Sequence, residues 1–469
     1  MKKGTITVFL SLILSVILSL VFSIIESARV SAIRARIEMV MDMGLYSIFA
    51  EYNRELLSSY DLYYIDSSYG RGKASVTNIG AHLKDYLQYN FNTTKGSPAL
   101  FTTDFTGLSA GEVKISGESL ATDSAGRVFK RQAIHAVKDH FGISIIDRAK
   151  STYHQYKGGA VDEKKVEEKR ERILKKLEDL DLNSAGKAAT KVLDKRPGIL
   201  NLILNNLGNV SDKAPDLSSL ASYRKLSKGI GMVRPDEDPD SLTNELLFNE
   251  YIAWKFSSYR KNPGNAPLSY EQEYILNGKN SDMANLRATA EKLFLLREAA
   301  DTAAVFNDSI KRGEAEALSE TICALLCVPE AAEAVTDFLL LAWGFGESVV
   351  DVRTLLNGGK VPLVKSGSDF SIRTLTELPL FMSINPGKEQ TEGLSYEEYL
   401  RLFLMLENKT KKVMRTMDVI ELNLRTTKGN SSFKLDSCVE YLEAELTAKS
   451  RYGYEYSILR DFAYEPVIE

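Results

Sequence analysis

The first 25 residues differ sharply from the rest of the chain in their hydrophobic pattern. Ile6 to Ile25 is an uncharged run of twenty residues that begins just after Lys2 and Lys3. A helix of this length spans about 30 Å, the thickness of a bilayer's hydrocarbon core. A cleavable secretory signal is usually shorter and ends in a small-residue cleavage site, whereas Glu26 and Arg29 follow here. The pattern predicts a membrane-spanning helix with its ends at Ile6 and Ile25.

The helical pattern continues beyond this run. Apolar residues and one glycine recur at spacings of three and four, namely Val30, Ile33, Ile37, Val40, Gly44 and Ile48. Charged residues occupy the other face, namely Arg29, Arg34, Arg36, Glu38 and Asp42. Proline is absent between Thr5 and Ser58, so we expect one helix of about 80 Å. Its first part would lie in lipid, and its amphipathic extension would project outward.

The middle of the chain mixes strand and helix patterns. Aromatic and β-branched residues over Asp61–Asp66, closed by Ser67 to Gly70, predict a short strand and a turn. Alternation predicts two more short strands, at Phe101–Phe105 and Glu112–Ser116. Helices are predicted over 125–149 and over the highly charged segment 161–182, which has the pattern of a solvated face.

The second half is mainly helical. Ser269–Gln272 and Ser395–Glu398 both fit the capping box, in which a serine hydroxyl and an acid or amide satisfy backbone N–H groups at a helix start. Apolar spacing predicts a helix over 286–310 that Gly313 ends, and two further helices over 315–357.

The C-terminus changes to alternation with a period of two. One face carries Val439, Tyr441, Glu443 and Glu445, and the next segment carries Tyr452, Tyr454, Tyr456 and Ile458. Two strands joined by a tight turn at Ser450–Arg451 explain this pattern, with tyrosines paired across one face.

These elements predict a helix-rich α+β fold. A long N-terminal transmembrane and projecting helix precedes a mainly helical head with short strands and a C-terminal β-hairpin. Pro197, Pro215, Pro235 and Pro239 mark a connecting region. We therefore divide the chain into 1–60 (helix and extension), 61–195 (strands and charged helices), 196–265 (connection) and 266–469 (helices and hairpin).

Composition narrows the classes of partner. With 59 basic and 63 acidic side chains the formal net charge is −4, so no overall basic field favours nucleic acid. The three cysteines exclude a disulfide scaffold. Cys323 and Cys327 lie four apart on a predicted helix and are expected to be small buried hydrophobes.

Motifs for chemistry are weak. His135 and His140 lie five apart, which does not suit a metal pair on one helical face. Gly358-Gly359-Lys360 lacks the glycine spacing of a phosphate loop and follows a helix, so it predicts a helix stop. Asp236, Asp238 and Asp240 lack the glycine and the distal glutamate of a calcium loop. We predict no catalytic residue, no cofactor, no metal and no small-molecule substrate.

Orientation follows from basic residues at the two ends of the span. Lys2 and Lys3 favour a cytoplasmic N-terminus, while Arg29, Arg34 and Arg36 crowd the other end. Long C-terminal domains translocate whatever their local charge. We expect a single-pass protein of the cell membrane with a cytoplasmic N-terminus and an extracytoplasmic head.

The N-terminus resembles the pseudopilin-like TadE/TadG proteins of the tight-adherence (Flp) pilus system. The resemblance rests on Lys2-Lys3-Gly4 before the apolar run, on Glu26-Ser-Ala-Arg29 after it, and on the continuing helix. It implies an anchor in the membrane, a globular head outside, and an apolar helix face that packs against neighbouring subunits after extraction. Partners would then be the lipid bilayer and other Tad pilus subunits or platform proteins.

The whole chain is also similar to an uncharacterised clostridial-type family found beside such pilus genes. Five motifs carry this similarity, namely Asp61–Gly70, Glu273–Asp282, Ala342–Ser348 with Asp351-Val-Arg353, Tyr396–Leu402 and Met417–Leu424. They are spread over nearly the full length. This resemblance supplies context for the chain and no mechanism.

The resemblance also implies a candidate prepilin-type processing junction at Gly4–Thr5. Pilins carry glutamate at the fifth mature position, where this chain has Phe9, and Glu26 lies too far along the helix to replace it. The alternative is that Lys2, Lys3, Glu26 and Arg29 anchor the helix at the membrane interfaces.

The resulting functional hypothesis is a non-enzymatic membrane protein acting in assembly or surface display of a Tad-type pilus. A membrane-tethered adhesin or envelope-binding module is the first alternative. An envelope hydrolase is the second, and a concave cluster of carboxylates or histidines in the head would favour it.

Overall fold

A computed structural model of the chain describes residues 2–92, 106–142, 163–179, 210–230, 240–261, 264–381 and 393–464, together with the single positions 147, 150, 151, 153, 154, 203 and 384. The chain forms two compact units. Unit 1 comprises Met1–His135, Lys225–Glu237 and Leu424–Glu469, and unit 2 comprises Ala136–Arg224 and Asp238–Asn423. The four consecutive segments proposed from the sequence stay a prediction.

The described residues contain twelve α-helices and four strands. The helices are α1 (Lys2–Phe49), α2 (Arg54–Tyr60), α3 (Val76–Phe91), α4 (Asp123–Phe141), α5 (Glu163–Asp179), α6 (Leu242–Lys255), α7 (Glu271–Asn277), α8 (Asp282–Asn307), α9 (Ser309–Leu326), α10 (Ala332–Leu356), α11 (Tyr396–Leu406) and α12 (Lys409–Leu424). The strands are β1 (Ile65–Asp66), β2 (Leu108–Leu120), β3 (Cys438–Ser450) and β4 (Glu455–Ala463). The predicted helix-rich α+β class, with its long apolar N-terminal helix and C-terminal strands, is confirmed.

Helix α1 ends at Phe49, before the predicted end near Ser58. The absence of proline permits a longer helix but does not require one. Asn53 instead caps α2, because its side chain accepts a hydrogen bond from the Leu56 amide at 3.0 Å. The Asn53 amide donates to the Tyr64 carbonyl, which turns the chain back on itself. The 48 residues of α1 span about 70 Å.

The two parts of α1 have different surroundings. The apolar run from Ile6 to Ile25 is exposed throughout, and among the described residues α1 is the one helix long and apolar enough to cross a membrane. The predicted apolar face of the extension is buried in unit 1, with Ile33, Ile37 and Ile48 at most 2% exposed. That face packs against α3 and the sheet.

Gly44 lets α1 and α3 approach closely. A Cβ atom at this position would lie 2.9 Å from Cδ2 of Leu87 and 3.0 Å from Cδ1 of Leu83, both on α3. These separations are shorter than an ordinary van der Waals contact between carbon atoms. A side chain here would therefore displace α3.

Arg36 does not lie on the solvated face as predicted. Its Nη2 donates to the Phe91 carbonyl at 2.8 Å, and its Nη1 donates to Thr106 Oγ1 at 2.6 Å. Phe91 is the last residue of α3, where carbonyl groups lack intrahelical partners. A cation at this end also complements the helix dipole, so Arg36 caps α3.

The four strands form one antiparallel sheet in unit 1, centred on β3. Strand β2 pairs with β3 over most of its length, while β1 and β4 both pair with β3 as well. Predicted strand Glu112–Ser116 is confirmed inside β2, and the strand predicted over 61–66 is reduced to β1. The strand predicted over 101–105 lies outside the described residues.

The C-terminal hairpin is confirmed, but the predicted pairing of tyrosines across it is wrong. Tyr456 lies opposite Ala448, and Tyr441 lies opposite Ala463. Tyr452 and Tyr454 precede β4, because β3 continues to Ser450 and the turn occupies the following residues. The Ser450 amide donates to the Tyr454 carbonyl at 2.8 Å and closes this turn.

Unit 2 is helical, and its core lies among α8, α9 and α10, with Trp343 at its centre. The prediction that Gly313 ends a helix is wrong, because the break occurs at Asp308. Its side chain accepts from the Ile310 and Lys311 amides at 2.9 and 3.2 Å and starts α9, which continues through Gly313. The stop at Gly358 is confirmed, and this residue has a φ of +90° that favours glycine.

One of the two predicted capping boxes forms. Ser395 and Glu398 exchange both hydrogen bonds at the start of α11. At the other position α7 begins only at Glu271, so Ser269 is not its cap. The Ser269 amide donates to Asp282, and the Gln272 side chain donates to the Phe256 carbonyl at 2.9 Å. Ser269 and Gln272 therefore form hydrogen bonds with residues of other elements instead of with each other.

The charged segment forms α5, within the predicted range 161–182. Ile173 is buried in the core of unit 2, while Arg172 and Glu168 form an exposed ion pair at 3.5 Å. Asp236 and Asp238 lie outside the described residues.

Candidate functional site

A group of five charged side chains lies in the interior of unit 2. This buried charge cluster consists of Arg297, Asp301, Glu347, Asp351 and Lys365, and each is at most 6% exposed. Two of its members, Glu347 and Asp351, come from motifs that carry the family resemblance. The cluster is therefore the leading candidate for a functional site in unit 2.

Helix packing brings these residues together. Trp343, Glu347 and Asp351 recur every four residues along α10 and share one face. Gly344 on the same helix allows a close approach, since a Cβ there would lie 2.6 Å from Thr302 Oγ1 on α8. Arg297 lies on α8, on the side that faces α10.

Each cation of the cluster pairs with two carboxylates, and Arg297 also joins separate elements. Arg297 donates to Asp301 at 2.5 Å and to Asp351 at 2.9 Å, and also to the Pro362 and Leu363 carbonyls. Lys365 donates to Glu347 and to Asp351, both at 2.5 Å. Charges buried in this way cost desolvation energy, which only such close pairing offsets.

The cluster holds three carboxylates against two cations. Burial raises the pKa of Asp301, although the Arg297 guanidinium opposes this effect. Its Oδ2 atom is buried without a hydrogen-bond partner. A protonated Asp301 would leave two carboxylates paired with two cations, which removes the excess negative charge.

The other motif carboxylates also bind the protein's own groups. Glu273 accepts from the Tyr259 amide at 2.8 Å and from the Tyr396 hydroxyl at 2.7 Å. Asp418 accepts from the Tyr274 hydroxyl at 2.9 Å and from the Ser222 amide at 2.8 Å. Burial raises the pKa of Glu273 to about 7.

These carboxylates stabilise the fold of unit 2. Glu347 accepts from the Ser371 and Ile372 amides, so it fixes the segment that follows Lys365. Buried carboxylates that accept hydrogen bonds from amides, hydroxyls and cations differ from the concave, accessible cluster that would favour a hydrolase. The carboxylates of these motifs are therefore accounted for by the packing of unit 2.

His135 and His140 both lie on α4, whereas Asp236 and Asp238 lie outside the described residues. His140 on α4 stacks on Trp254, with ring centroids 4.3 Å apart. Within the described ranges, no group of three or more histidine, cysteine or acidic side chains could hold a metal ion. Cys323 is buried as predicted, but Cys327, which follows the last residue of α9 with a φ of 56°, is exposed.

A second polar group lies where the apolar run of α1 ends. Glu26 accepts from the Tyr454 hydroxyl at 2.6 Å and from Nη1 of Arg29 at 2.7 Å. The Arg29 guanidinium lies 4.4 Å from the centre of the Tyr452 ring. We call residues 451–454 the hairpin tip. Of the predicted anchors, Glu26 and Arg29 thus contact the tip.

Strand β4 runs beside α1, which explains the position of the tip. Arg460 lies 3.7 Å from Glu38, and the Phe462 ring centroid lies 4.8 Å from that of Tyr46. From Tyr454 to Phe462 a strand advances about 27 Å, and from Glu26 to Tyr46 a helix advances about 30 Å. The lengths match, so the tip reaches α1 beside Glu26.

The hairpin tip was not predicted from the sequence. Its signal was present in the exposed tyrosines and Arg451 at the predicted turn, but the turn was not related to Glu26, 428 residues earlier in the chain. The other predicted site residues, Lys2, Lys3, Gly4 and Thr5, lie in the first turns of α1. The structure does not describe their side chains, so the processing junction stays a prediction.

Comparison with known proteins gives one match. No curated protein and no solved structure matches the chain. A protein-family profile described as a family of unknown function (DUF5702) matches residues 178–450, which is more than half of the 469-residue chain. The matched residues include the buried charge cluster and β3 but not α1. The chain belongs to this family of unknown function, DUF5702.

Proposed function

We propose that this chain is a non-enzymatic single-pass membrane protein that acts in assembly or surface display of a Tad-type pilus. The observation that supports the membrane anchor is the division of α1 into an exposed apolar part and a part built into the core of unit 1, whereas the pilus role rests on the resemblance of the N-terminus. A helix of this kind anchors the protein in a bilayer and holds a folded body beside it.

The anchor and unit 1 are joined without a linker. Helix α1 continues from Ile25, the end of the apolar run, to Ile33, the first buried residue, through about 12 Å of uninterrupted helix. The position of unit 1 relative to the bilayer therefore follows from the tilt and rotation of α1. Such a rigid attachment suits a subunit that displays its body in a defined orientation.

The structure limits which residues could contact neighbouring subunits. The face formed by Ile33, Ile37 and Ile48 packs inside unit 1. It is therefore not available as a seam between subunits. If the protein enters a filament, the exposed run from Ile6 to Ile25 would provide the helix contacts.

Protease treatment of intact cells, combined with N-terminal sequencing of the mature protein, tests the proposal. An accessible head with Thr5 as the first residue would support pilin-type processing. An accessible head that retains Met1 or Lys2 would support a permanently anchored accessory protein. Protection of the head until lysis would place it in the cytoplasm and overturn the proposal.

A strain without the protein gives an independent test. We expect loss of surface pili in electron micrographs, with recovery on expression of the intact chain. Normal piliation in the deletion strain would contradict a pilus role. Only the membrane-anchoring part of the proposal would then remain.

A further inference from the structure

The position of the hairpin tip has a consequence for a protein anchored by α1. Glu26 is the first charged residue after the apolar run, and it accepts a hydrogen bond from Tyr454. If Ile6–Ile25 fills the hydrocarbon core, then Glu26 and the tip lie at the boundary between lipid and water. This step rests on the proposed membrane anchoring.

We propose that the hairpin tip, together with Arg29, is a second membrane contact that binds the phospholipid headgroup layer. The tyrosine rings would lie in the interface, and the guanidinium groups of Arg29 and Arg451 would bind lipid phosphate. The anchor and the tip would then fix unit 1 to the bilayer at two places, one of them formed by residues from the far end of the chain.

The chemistry of the tip suits this layer. Tyr452 and Tyr454 are 41% and 38% exposed, so large parts of both rings meet the surroundings. Tyrosine is enriched at membrane interfaces because its ring is apolar and its hydroxyl is polar. The Tyr454 hydroxyl already has Glu26 as a partner, which leaves its ring to contact lipid.

The charges of the tip favour phosphate. Arg29 and Arg451 both lie near the Tyr452 ring, at 4.4 and 5.5 Å from its centre. Arg34, on the exposed side of α1, adds a third guanidinium, whereas Glu26 is the acidic group that contacts Arg29. Nearby Lys449 and Glu455 form an ion pair at 2.7 Å, so their charges cancel. Guanidinium groups bind phosphate oxygens through strong charge-assisted hydrogen bonds.

The contact would restrict a motion that a single helix leaves open. A lone transmembrane helix rotates about its own axis, and interfacial aromatic and basic residues set its rotation and tilt. The tip lies on one side of α1 only. Binding of the tip to lipid would therefore select one rotation, and with it the side of unit 1 that faces outward.

Tryptophan substitution and quenching by brominated lipid test this proposal. The full chain is placed in nanodiscs of phosphatidylcholine and phosphatidylglycerol at one chain per disc, which excludes contacts between copies. Three variants are compared, namely Tyr452→Trp in the tip, Val16→Trp in the apolar run and Tyr46→Trp on the same helix about 30 Å beyond Glu26. The native Trp254 and Trp343 both belong to unit 2, and their signal is subtracted with the unmodified chain.

The three variants separate the outcomes. We expect quenching of Val16→Trp by bromine on the acyl chains, quenching of Tyr452→Trp at least half as strong, and no quenching of Tyr46→Trp. If Tyr452→Trp is no more quenched than Tyr46→Trp while Val16→Trp is quenched, the anchor stands and the tip proposal is overturned. If Val16→Trp is not quenched either, the anchoring itself fails, and the tip proposal fails with it.

Removal of the Arg451 charge from the protein tests the arginine contact separately. Arg451→Gln should reduce the quenching of Tyr452→Trp about twofold in discs that contain phosphatidylglycerol. Quenching that does not change in this double variant would overturn the role assigned to Arg451. Lys428→Gln, a change at an exposed residue outside the hairpin, is the matched control.

Discussion

Lys365 neutralises two buried carboxylates at once, so its removal is a direct test of the buried charge cluster. In Lys365→Met, Glu347 and Asp351 lose this cation while they remain in the interior. Breaking a buried pair by removing one partner costs about 3–5 kcal/mol. We expect a loss of that size in the free energy of unfolding of unit 2, measured by urea titration with Trp343 fluorescence in detergent.

Lys360 provides a matched control for this experiment. It is exposed and lies five residues before Lys365, so Lys360→Met removes the same charge from the surface. Surface substitutions of this kind usually change stability by less than about 0.5 kcal/mol. Two variants that unfold within 1 kcal/mol of each other would show that the cluster contributes little.

Glu273 gives a prediction for pH dependence. Burial raises its pKa to about 7, from an ordinary value of 4.5. Between these two values the folded chain holds the proton and the unfolded chain has released it. The free energy of unfolding should therefore fall as pH rises from about 4.5 to about 7, by at most about 3 kcal/mol from this group.

The variant Glu273→Gln isolates this contribution. Glutamine keeps an oxygen for the Tyr259 amide and the Tyr396 hydroxyl but does not titrate. We expect its urea midpoint to change less between pH 5 and pH 7.5 than that of the unmodified chain. Glu333→Gln, at an exposed position of α10, should retain the original pH dependence. Parallel curves for all three proteins would refute the assignment.

At the scale of elements, the contact between α1 and α3 depends on the absence of a side chain at residue 44. In Gly44→Leu, the new side chain meets Leu83 and Leu87, which already occupy the space. Overpacking costs about 1–3 kcal/mol, partly offset by about 1 kcal/mol of improved helix propensity. We expect faster hydrogen exchange of the α3 amides, measured by mass spectrometry.

Met43→Leu is the control for that prediction. Met43 precedes Gly44 but is about half exposed, so the substitution does not enter the contact with α3. Its exchange pattern over 76–91 should match the unmodified chain. Equal exchange in Gly44→Leu would mean that α3 moves aside without loss of protection.

The elements also indicate what local sequence determines. The apolar face of α1, the charged helix α5, the box at Ser395 and the alternation of β3 all follow from residue spacing, and each was predicted. The errors occur where a hydrogen-bond partner from another element replaces the local one. The Ser269 amide donates to the Asp282 carboxylate instead of forming a cap, and Arg36 donates to the Phe91 carbonyl instead of facing solvent. Spacing along the chain carries no information about such partners.

The same reason explains what was missed at the candidate sites. The buried charge cluster joins residues 297–301, 347–351 and 365, and the hairpin tip meets Glu26 across almost the whole sequence. Of these residues, Glu347 and Asp351 lie in motifs, and the tip lies at a predicted turn, whereas Arg297, Asp301 and Lys365 carry no motif. Their pairing depends on helix packing and on the equal lengths of β4 and of the α1 segment beside it, which only the folded chain reveals.

At the scale of the whole molecule, the two parts of α1 lie in different environments, one exposed and one inside unit 1. Shuffling the sequence of one part should therefore have a different effect from shuffling the other. Shuffling residues 30–48 removes the apolar face that unit 1 buries, so unit 1 should lose its fold. Shuffling residues 6–25 keeps an exposed, uncharged run of the same composition. We expect membrane insertion and both units to survive the second change.

Two measurements separate these cases. Hydrogen exchange of β3 reports on unit 1, and Trp343 fluorescence reports on unit 2, whose core cluster contains no residue of α1. Shuffling 30–48 should abolish protection of β3 and leave the Trp343 unfolding transition in place. Loss of both signals would mean that unit 2 depends on unit 1. The variant shuffled over 6–25 is then tested for piliation, once it is shown to be folded and inserted. Loss of piliation would locate the subunit contacts in the exposed run. Normal piliation would show that this run serves only as the anchor.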